Sequence, residues 1–161
     1  MTLDLGCGDH PRGDVNVDLF MQPGVDHIVN LGFDPLPFDD EAFSLVSAYD
    51  VLEHIPKVVC LPHIHLENIV SQWFPHLQLF NEVWRVLTPG GIFDTMTPVL
   101  EPAVHGRALH CSVWNRETFD QFCDGSIEEK VLRWHGYVAH FKLVSYQTQG
   151  YHAIVRFKAI K

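Results

Sequence analysis

The sequence has few basic residues: 11 Lys and Arg stand against 20 Asp and Glu, for a formal net charge of -9. With so few basic residues the protein has no positive electrostatic field that could attract a nucleic-acid backbone. DNA or RNA is therefore not expected as the main partner. No apolar run approaches the roughly 18 residues of a membrane span, and no basic leader followed by an apolar run opens the chain. We therefore expect a soluble, cytoplasmic protein with no membrane partner.

Cysteine pairs are also lacking. The four cysteines, Cys7, Cys60, Cys111 and Cys123, are scattered and form no CxxC motif. This usage favours reduced intracellular thiols over a disulfide framework or a zinc knuckle. The chain has no repeat and no Gly/Ser linker, and its 161 residues, 47% of them hydrophobic, suffice for one globular core. We expect a single domain over residues 1–161.

Short apolar runs typical of β-strands alternate with helical or turn-rich segments, which predicts a mostly parallel α/β sheet. The predicted strands are Thr2–Leu5, Val15–Asp18, Asp26–Val29, Phe43–Tyr49 and Ile92–Thr97. Only residues 6–14 and 19–25 connect the first three, whereas parallel crossovers usually need about a dozen residues. We infer that the first two crossover helices are reduced to loops, which thins one side of the sheet.

The clearest helix is predicted at His76–Leu87, where apolar residues recur at three- and four-residue steps before the Pro89-Gly90 stop. A second helix is predicted to begin after Asn115, a good N-cap residue. Near the end, Phe141–Tyr146 and Tyr151–Ile160 are rich in β-formers and lie only four residues apart. Such a short connection permits only an antiparallel hairpin, so one strand near the C-terminus should be reversed.

The strongest chemical signal is a glycine pair at the end of the first predicted strand. Gly6 and Gly8 allow a ligand close to the backbone, and Asp18, at the tip of the next strand, can accept hydrogen bonds from both ribose hydroxyls. A dinucleotide site would need a third glycine and a helix N-terminus, and Asp9 and Asp14 would repel a phosphate. The pattern therefore predicts an adenosine site without a diphosphate.

The order of five motifs resembles the class I S-adenosylmethionine-dependent methyltransferases. The matching segments are LDLGCG (3–8), LPFDDEAF (36–43), DVLEHI (50–55), NEVWRVLTPGG (81–91) and HCSVWNRETF (110–119). The last is similar to a stretch of a subgroup found in bacteria and phages. The resemblance spans almost the whole chain and implies a Rossmann-like sheet and S-adenosyl-L-methionine as the cofactor.

The resemblance also implies a cofactor site. Gly6, Cys7 and Gly8 would wrap the methionine end, and Asp4 would steady this loop or reach the amino group. The ribose would be held by Asp18 and Leu19.

Two further pairs complete that site. Asn30 and Leu31 fall where the family places an acid and an apolar residue against adenine; the amide can still accept through its oxygen. Tyr49 and Asp50 would border the methionine and the methyl group.

His54 and His110 are the best candidates for a general base, with Glu53 and Asp50 behind them, because a neutral imidazole is available near pH 7. Each of these residues could instead have a purely structural role. Glu53 and His54 could cap a turn, and His110 could orient a substrate or the fold. The Asp-Pro-Thr that precedes this histidine in the subgroup is replaced here by residues 107–109, which puts a substrate role for that loop in doubt.

The resulting hypothesis is methyl transfer from S-adenosylmethionine to a small acceptor. The alternative is a catalytically degenerate methyltransferase fold that serves binding or assembly; a nicotinamide-dependent enzyme is disfavoured by the absent third glycine.

No metal site is predicted, because His63 and His65 lack a third ligand in the sequence. Residues 58–74 form an insertion that is either a packing flap or a substrate wall, and a homodimer would cover it.

Overall fold

The computed structural model describes residues 1–62, 70–100 and 106–161. Its strands are β1 (Thr2–Leu5), β2 (Val15–Asp18), β3 (His27–Ile28), β4 (Phe43–Tyr49), β5 (Val59–Pro62), β6 (Val70–Trp73), β7 (Leu87–Pro98), β8 (Phe141–Gln149) and β9 (His152–Ala159). Its helices are α1 (Pro75–Val86), α2 (Arg116–Asp120) and α3 (Glu129–Trp134), and a single 3-10 turn spans Leu52–His54.

Seven strands form one sheet in the order β3-β2-β1-β4-β7-β9-β8, and β5 pairs with β6 in a separate antiparallel hairpin. The first five strands of the large sheet are parallel, whereas β9 runs antiparallel to both β7 and β8. The predicted α/β sheet with one reversed strand near the C-terminus is confirmed. The bounds of β1, β2 and β4 agree with the sequence; β3 is shorter than predicted and β7 longer.

The core lies between the sheet and α1, on the face that carries Phe93 and Phe157, which are partners in register. Phe80 of α1 packs edge-to-face on both rings, at centroid distances of 5.3 and 5.7 Å. Phe119 of α2 contacts Phe157 from the same side, at 6.0 Å. These aromatic side chains are fully buried and anchor the helical layer.

The opposite face carries a row of polar side chains. Asn16, Asp4, Ser47, Asp94 and Arg156 are successive partners in register across five neighbouring strands. Their side chains therefore share one face, because cross-strand partners point the same way. As predicted, β1, β2 and β3 are joined by loops without helices, and in the described part of the chain no helix covers this row.

Between β7 and β8 the chain forms two short helices. The side chain of Asn115 accepts a hydrogen bond from the Thr118 amide at 2.8 Å, so the predicted N-cap of α2 is confirmed. The hairpin β5–β6 and α3 were not predicted as regular elements. Each is four to six residues long, too short for a periodic pattern to distinguish it from a loop.

No described helix is long and apolar enough to cross a membrane. The four cysteines are unpaired thiols; Cys7 is buried, whereas Cys60 and Cys111 are exposed.

Phe80→Ala should lower the free energy of unfolding by about 3–5 kcal/mol, because it removes a fully buried ring from the centre of the aromatic core. Chemical denaturation followed by tryptophan fluorescence would measure the loss. Ile127→Ala is the control, since that side chain is 96% exposed and its removal should cost less than about 0.5 kcal/mol. Equal losses in the two variants would contradict this description of the core.

Candidate active site

A cavity of about 490 Å3 opens at the carboxyl ends of the parallel strands, where ligands bind in open α/β sheets. Its lining comes from the ends of β1, β2, β3 and β4 and the segments that follow them, together with Leu109 from the segment after β7. The lining residues are Gly6, Asp18, Leu19, Phe20, Val29, Asn30, Leu31, Phe33, Val51, His54, Ile55, Pro56 and Leu109. The volume falls within the range of small-molecule and cofactor sites.

The loop after β1 is tied to the neighbouring strand by its backbone. The amides of Gly6 and Cys7 both donate to the carbonyl oxygen of Val17, at 2.8 and 3.1 Å. Gly6 has a φ of +64°, and a Cβ there would lie 2.5 Å from the Cγ2 atom of Val51. Only glycine permits this close approach between the loop and the residue that follows β4.

Asp18, which lines the cavity, accepts hydrogen bonds from two main-chain amides. Its Oδ2 atom accepts from the Gly8 amide at 2.9 Å, and its Oδ1 atom accepts from the Phe20 amide at 3.1 Å. Each carboxylate oxygen can accept a second hydrogen bond. The side chain is therefore oriented and still has acceptor capacity for two hydroxyl groups of a ligand.

The turn after β3 forms the adenine end of the predicted site. The Asn30 amide donates to Asp34 Oδ2 at 3.0 Å, and the Asn30 carbonyl accepts from the Phe33 and Asp34 amides at 3.0 and 2.9 Å. Asn30 is exposed, whereas Leu31 is half-buried. The tight turn thus presents an amide beside apolar side chains at the cavity wall.

A second cavity of about 250 Å3 lies beside the first and is richer in charged groups. Its lining residues are Asp50, Glu53, His54, Pro98, Arg107, His110, Tyr151 and His152. His54 lines both cavities. The 3-10 turn that follows β4 therefore borders both spaces.

The position of this turn is fixed by hydrogen bonds at its first residue. The carbonyl oxygen of Leu52 accepts from Ser112 Oγ at 2.9 Å and from Trp114 Nε1 at 3.1 Å, and the Nε2 atom of His76 lies 3.4 Å away. The carbonyl of Glu53 accepts from the Cys111 and Ser112 amides at 2.9 and 3.1 Å. The turn and the segment around residue 112 are thereby held together.

Glu53 is a buried carboxyl group, with 2% of its surface exposed. Its Oε2 atom accepts from the hydroxyl of Thr97 in β7, at 2.8 Å. Burial raises the pKa of the Glu53 carboxyl above its ordinary value, and the Thr97 hydrogen bond opposes that shift. The side chain is aligned by the sheet rather than by solvent.

The two candidate histidines are in direct contact. The rings of His54 and His110 pack edge-to-face with centroids 4.9 Å apart. The Nδ1 atom of His54 lies 3.2 Å from the carbonyl oxygen of Leu109, which favours the tautomer that carries the proton on Nδ1. The Nδ1 atom of His110 is buried and has no hydrogen-bond partner among the described residues.

Asp50 occupies the residue between β4 and the turn. It has a φ of +56°, a conformation that costs free energy in a residue other than glycine. Its carboxylate lies 3.1 Å from the Nε2 atom of His152 at the start of β9. This pair brings the reversed strand into the second cavity.

The structure brings eight of the predicted site residues into the two cavities. Gly6, Asp18, Leu19, Asn30 and Leu31 line the larger one, His54 lines both, and Asp50 and His110 line the smaller one. The role predicted for each remains a prediction.

The structure does not bring Asp4, Cys7, Gly8 and Tyr49 into either lining. Asp4 accepts from the Arg12 amide at 3.0 Å and from Ser47 Oγ at 2.6 Å, so it steadies the loop that follows β1. Cys7 is buried within the loop, and the Gly8 amide faces Asp18.

Tyr49 belongs to the polar face of the sheet rather than to a cavity wall. Its hydroxyl donates to Asp94 Oδ2 at 3.2 Å, and the Arg12 guanidinium lies over its ring at 5.3 Å. Burial and the nearby Asp94 carboxylate raise the pKa of Tyr49. Its position therefore lends no geometric support to a contact with the methyl group.

Several lining residues were not identified from the sequence. Val51 and Ile55 lie inside the motif 50–55 and could have been inferred from it, since they flank His54. Arg107, Tyr151 and His152 carry no local signal; the pairing of β9 with β7 brings Tyr151 and His152 near the turn, and Arg107 comes from the segment that follows β7. His63 and His65 lie outside the described residues.

Solved structures of similar fold were found, although no protein-family model and no curated protein matches the chain. A SAM-dependent methyltransferase from Methanosarcina mazei matches with a TM-score of 0.61 at 11% identity, over 99% of this chain and 92% of that one. An S-adenosylmethionine-dependent methyltransferase from Mesorhizobium loti matches with a TM-score of 0.50 at 16% identity, over 98% and 90%.

The cyclase SpnF also matches, with a TM-score of 0.58 at 16% identity, over 99% of this chain and 75% of that one. The chain therefore has the fold of class I S-adenosylmethionine-dependent methyltransferases. Membership in the bacterial and phage subgroup stays a prediction.

The free energy of unfolding of the protein should depend on pH through His76, which lies beside the 3-10 turn of the site. Burial lowers the pKa of His76 to about 4, from an ordinary value near 6.5 in the unfolded chain. Between these values the unfolded chain binds more protons, so stability is lost as the pH falls from about 6.5 to about 4. The loss due to His76 should be about 3 kcal/mol.

Urea denaturation of the wild type and of His76→Gln at several pH values would measure this contribution. Glutamine keeps an N–H donor near the Leu52 carbonyl but does not titrate. The difference in unfolding free energy between the two proteins should shrink toward acidic pH. Parallel pH curves would show that His76 is not buried in its neutral form.

Proposed function

We propose that the protein binds S-adenosylmethionine in the larger cavity and catalyses transfer of its methyl group to a small acceptor in the second cavity. The observation that carries the proposal is the position of His54, which lines both cavities. A methyl group must pass between two reactants held in contact, and two cavities that meet at one side chain supply that arrangement.

The residues of the larger cavity fit an adenosyl ligand. Asp18 is oriented by two amides and can accept from ribose hydroxyls, while Asn30 lies beside the apolar side chains of Leu31 and Phe33. The glycine loop runs into exposed acidic residues such as Asp9, instead of into a helix N-terminus that could hold a diphosphate. The charge of the loop therefore favours a ligand with an ammonium and a sulfonium group.

S-adenosylmethionine supplies an already activated methyl group, so the protein's task is to position the acceptor and exclude water. Arg107, Asp50 and His152 bring charges of both signs to the second cavity. Such a lining suits a small polar acceptor better than an apolar one.

An acceptor oxygen or nitrogen that carries a proton must lose it during the transfer. His54 and His110 are the side chains in the second cavity suited to take it, because an imidazole can be neutral near pH 7. The contact of Leu109 with His54 Nδ1 directs the unprotonated Nε2 atom of His54 away from that carbonyl. The acceptor's identity, a cytoplasmic location, the single domain and a homodimer stay predictions.

Asp18→Ala should abolish binding of S-adenosylmethionine, because it removes the ribose acceptor and the hydrogen bonds that orient the loop at Gly8 and Phe20. Isothermal titration calorimetry would measure the affinity. Asp39→Ala, a change at an exposed carboxylate that lines neither cavity, should leave the affinity within about twofold. Unchanged affinity in Asp18→Ala would refute this placement of the ribose.

Turnover should accompany binding. With S-adenosylmethionine and a panel of small hydroxyl, amine and carboxylate acceptors, wild-type protein should release S-adenosylhomocysteine, measured by mass spectrometry. NAD should not bind, because the loop lacks the third glycine and the helix of a dinucleotide site. Tight cofactor binding without turnover on any acceptor would instead support the degenerate binding module.

A further inference from the structure

We propose that Glu53, His54 and His110 form a binding site for a divalent transition-metal ion within the second cavity. One ligand atom from each of the three side chains lies within 4.8 Å of the other two. The sequence did not reveal this site, because His110 is separated from the adjacent Glu53 and His54 by 55 residues or more and joins them only in the fold.

The donor set is one that metal ions use in proteins. Two imidazoles and one carboxylate with an open side bind Zn2+ in several hydrolases and Fe2+ in non-haem oxygenases. The open side here faces the second cavity, which holds no other described histidine or carboxylate except the paired Asp50 and His152. The set therefore fits a borderline ion such as Zn2+ better than Mg2+, which prefers oxygen ligands.

The side chains around the three ligands orient them as metal ligands usually are oriented. A ligating histidine commonly donates its other N–H to a backbone carbonyl. The Nδ1 atom of His54 lies 3.2 Å from the Leu109 carbonyl oxygen, which leaves Nε2 free to bind an ion. Thr97 donates to one oxygen of Glu53, and a carboxylate has further lone pairs with which to bind an ion.

His110 supplies an independent observation. Its Nδ1 atom is buried and has no hydrogen-bond partner in the described part of the chain, whereas buried polar atoms are nearly always paired. A metal ion bound beside His54 and Glu53 would satisfy this atom.

The backbone holds the three residues in place before any ion binds. Glu53 and His54 lie in the 3-10 turn, and the Cys111 and Ser112 amides donate to the Glu53 carbonyl. Ligand atoms about 2.1 Å from a tetrahedral zinc ion lie about 3.4 Å apart, so atoms separated by up to 4.8 Å would each need to move inward by about 1 Å. Side-chain torsions can supply that movement.

A metal ion at this site would change the chemistry proposed above. It would occupy the imidazole lone pairs that a general base needs, and would instead lower the pKa of a coordinated hydroxyl group of the acceptor. The two roles of the histidines are therefore alternatives. The metal site itself rests on the three side chains and does not depend on methyl transfer.

The test is a titration of chelator-treated protein, free of any histidine tag, with Zn2+ in the absence of S-adenosylmethionine. Calorimetry should show one equivalent bound, and Co2+ should give visible absorption bands from a defined coordination site. Glu53→Gln, His54→Ala and His110→Ala should each raise the Zn2+ dissociation constant at least about tenfold. Circular dichroism would establish that each variant is folded. The glutamine of Glu53→Gln can still accept a hydrogen bond from Thr97.

Two controls separate this site from other effects. His152→Ala changes a histidine of the same cavity that is not in the ligand set, and its Zn2+ affinity should equal that of the wild type. Asp18→Ala should bind Zn2+ normally while losing S-adenosylmethionine, so failure of one proposal is distinguishable from failure of the other. Absence of Zn2+ binding, or affinity unchanged in the three folded ligand variants, would overturn the metal site.

Discussion

One backbone carbonyl, that of Leu52, connects the candidate active site to the core. It accepts from Trp114 and Ser112, with His76 of α1 close by, and all four residues are buried. Trp114 also stacks within the aromatic core, so the same ring stabilises the helical layer and holds the turn. A turn of three residues has little stability of its own, since its few backbone hydrogen bonds do not offset the ordering of its chain. The positions of Glu53 and His54 therefore depend on side chains that approach the turn from distant parts of the sequence.

The shortened crossovers explain the polar face of the sheet. In a doubly wound fold both faces are covered, and the strands are apolar on both sides. Here Asp4, Ser47 and Asp94 occupy the centre of a face that no described helix covers. Asp4 accepts from the Ser47 hydroxyl and the Arg12 amide, and the Oδ2 atom of Asp94 accepts from Tyr49 and Arg156. Buried charges are tolerated only when they are paired in this way. The polar side chains therefore lie on the face of the sheet where loops, rather than helices, connect β1, β2 and β3.

Local patterns predicted the strands and α1 well because each is decided by neighbouring residues. Phe43–Tyr49 is a β-rich run with the same bounds in the structure, and α1 begins and ends within one residue of its predicted limits, between Pro75 and the stop at Pro89. Gly6 and Asp18 both line the larger cavity, and the sequence could single them out because the predicted role requires a fixed spacing between two adjacent strands; that role stays a prediction. The resemblance placed Tyr49 beside the methyl group because it ends the fourth strand. The alternation of side chains along β4 directs it to the polar face, and its role stays a prediction.

The sequence by itself determined the class of fold and singled out the glycine loop and the acidic residue beside it, since periodicity, glycine conformation and carboxylate chemistry all act over a few residues. Only the tertiary structure decided which side chains share a cavity. His110 meets His54, and His152 meets Asp50, through pairings that span more than 50 residues. Such contacts depend on how β7 and β9 pair and on which side chains reach the Leu52 carbonyl, and no local pattern encodes those distances.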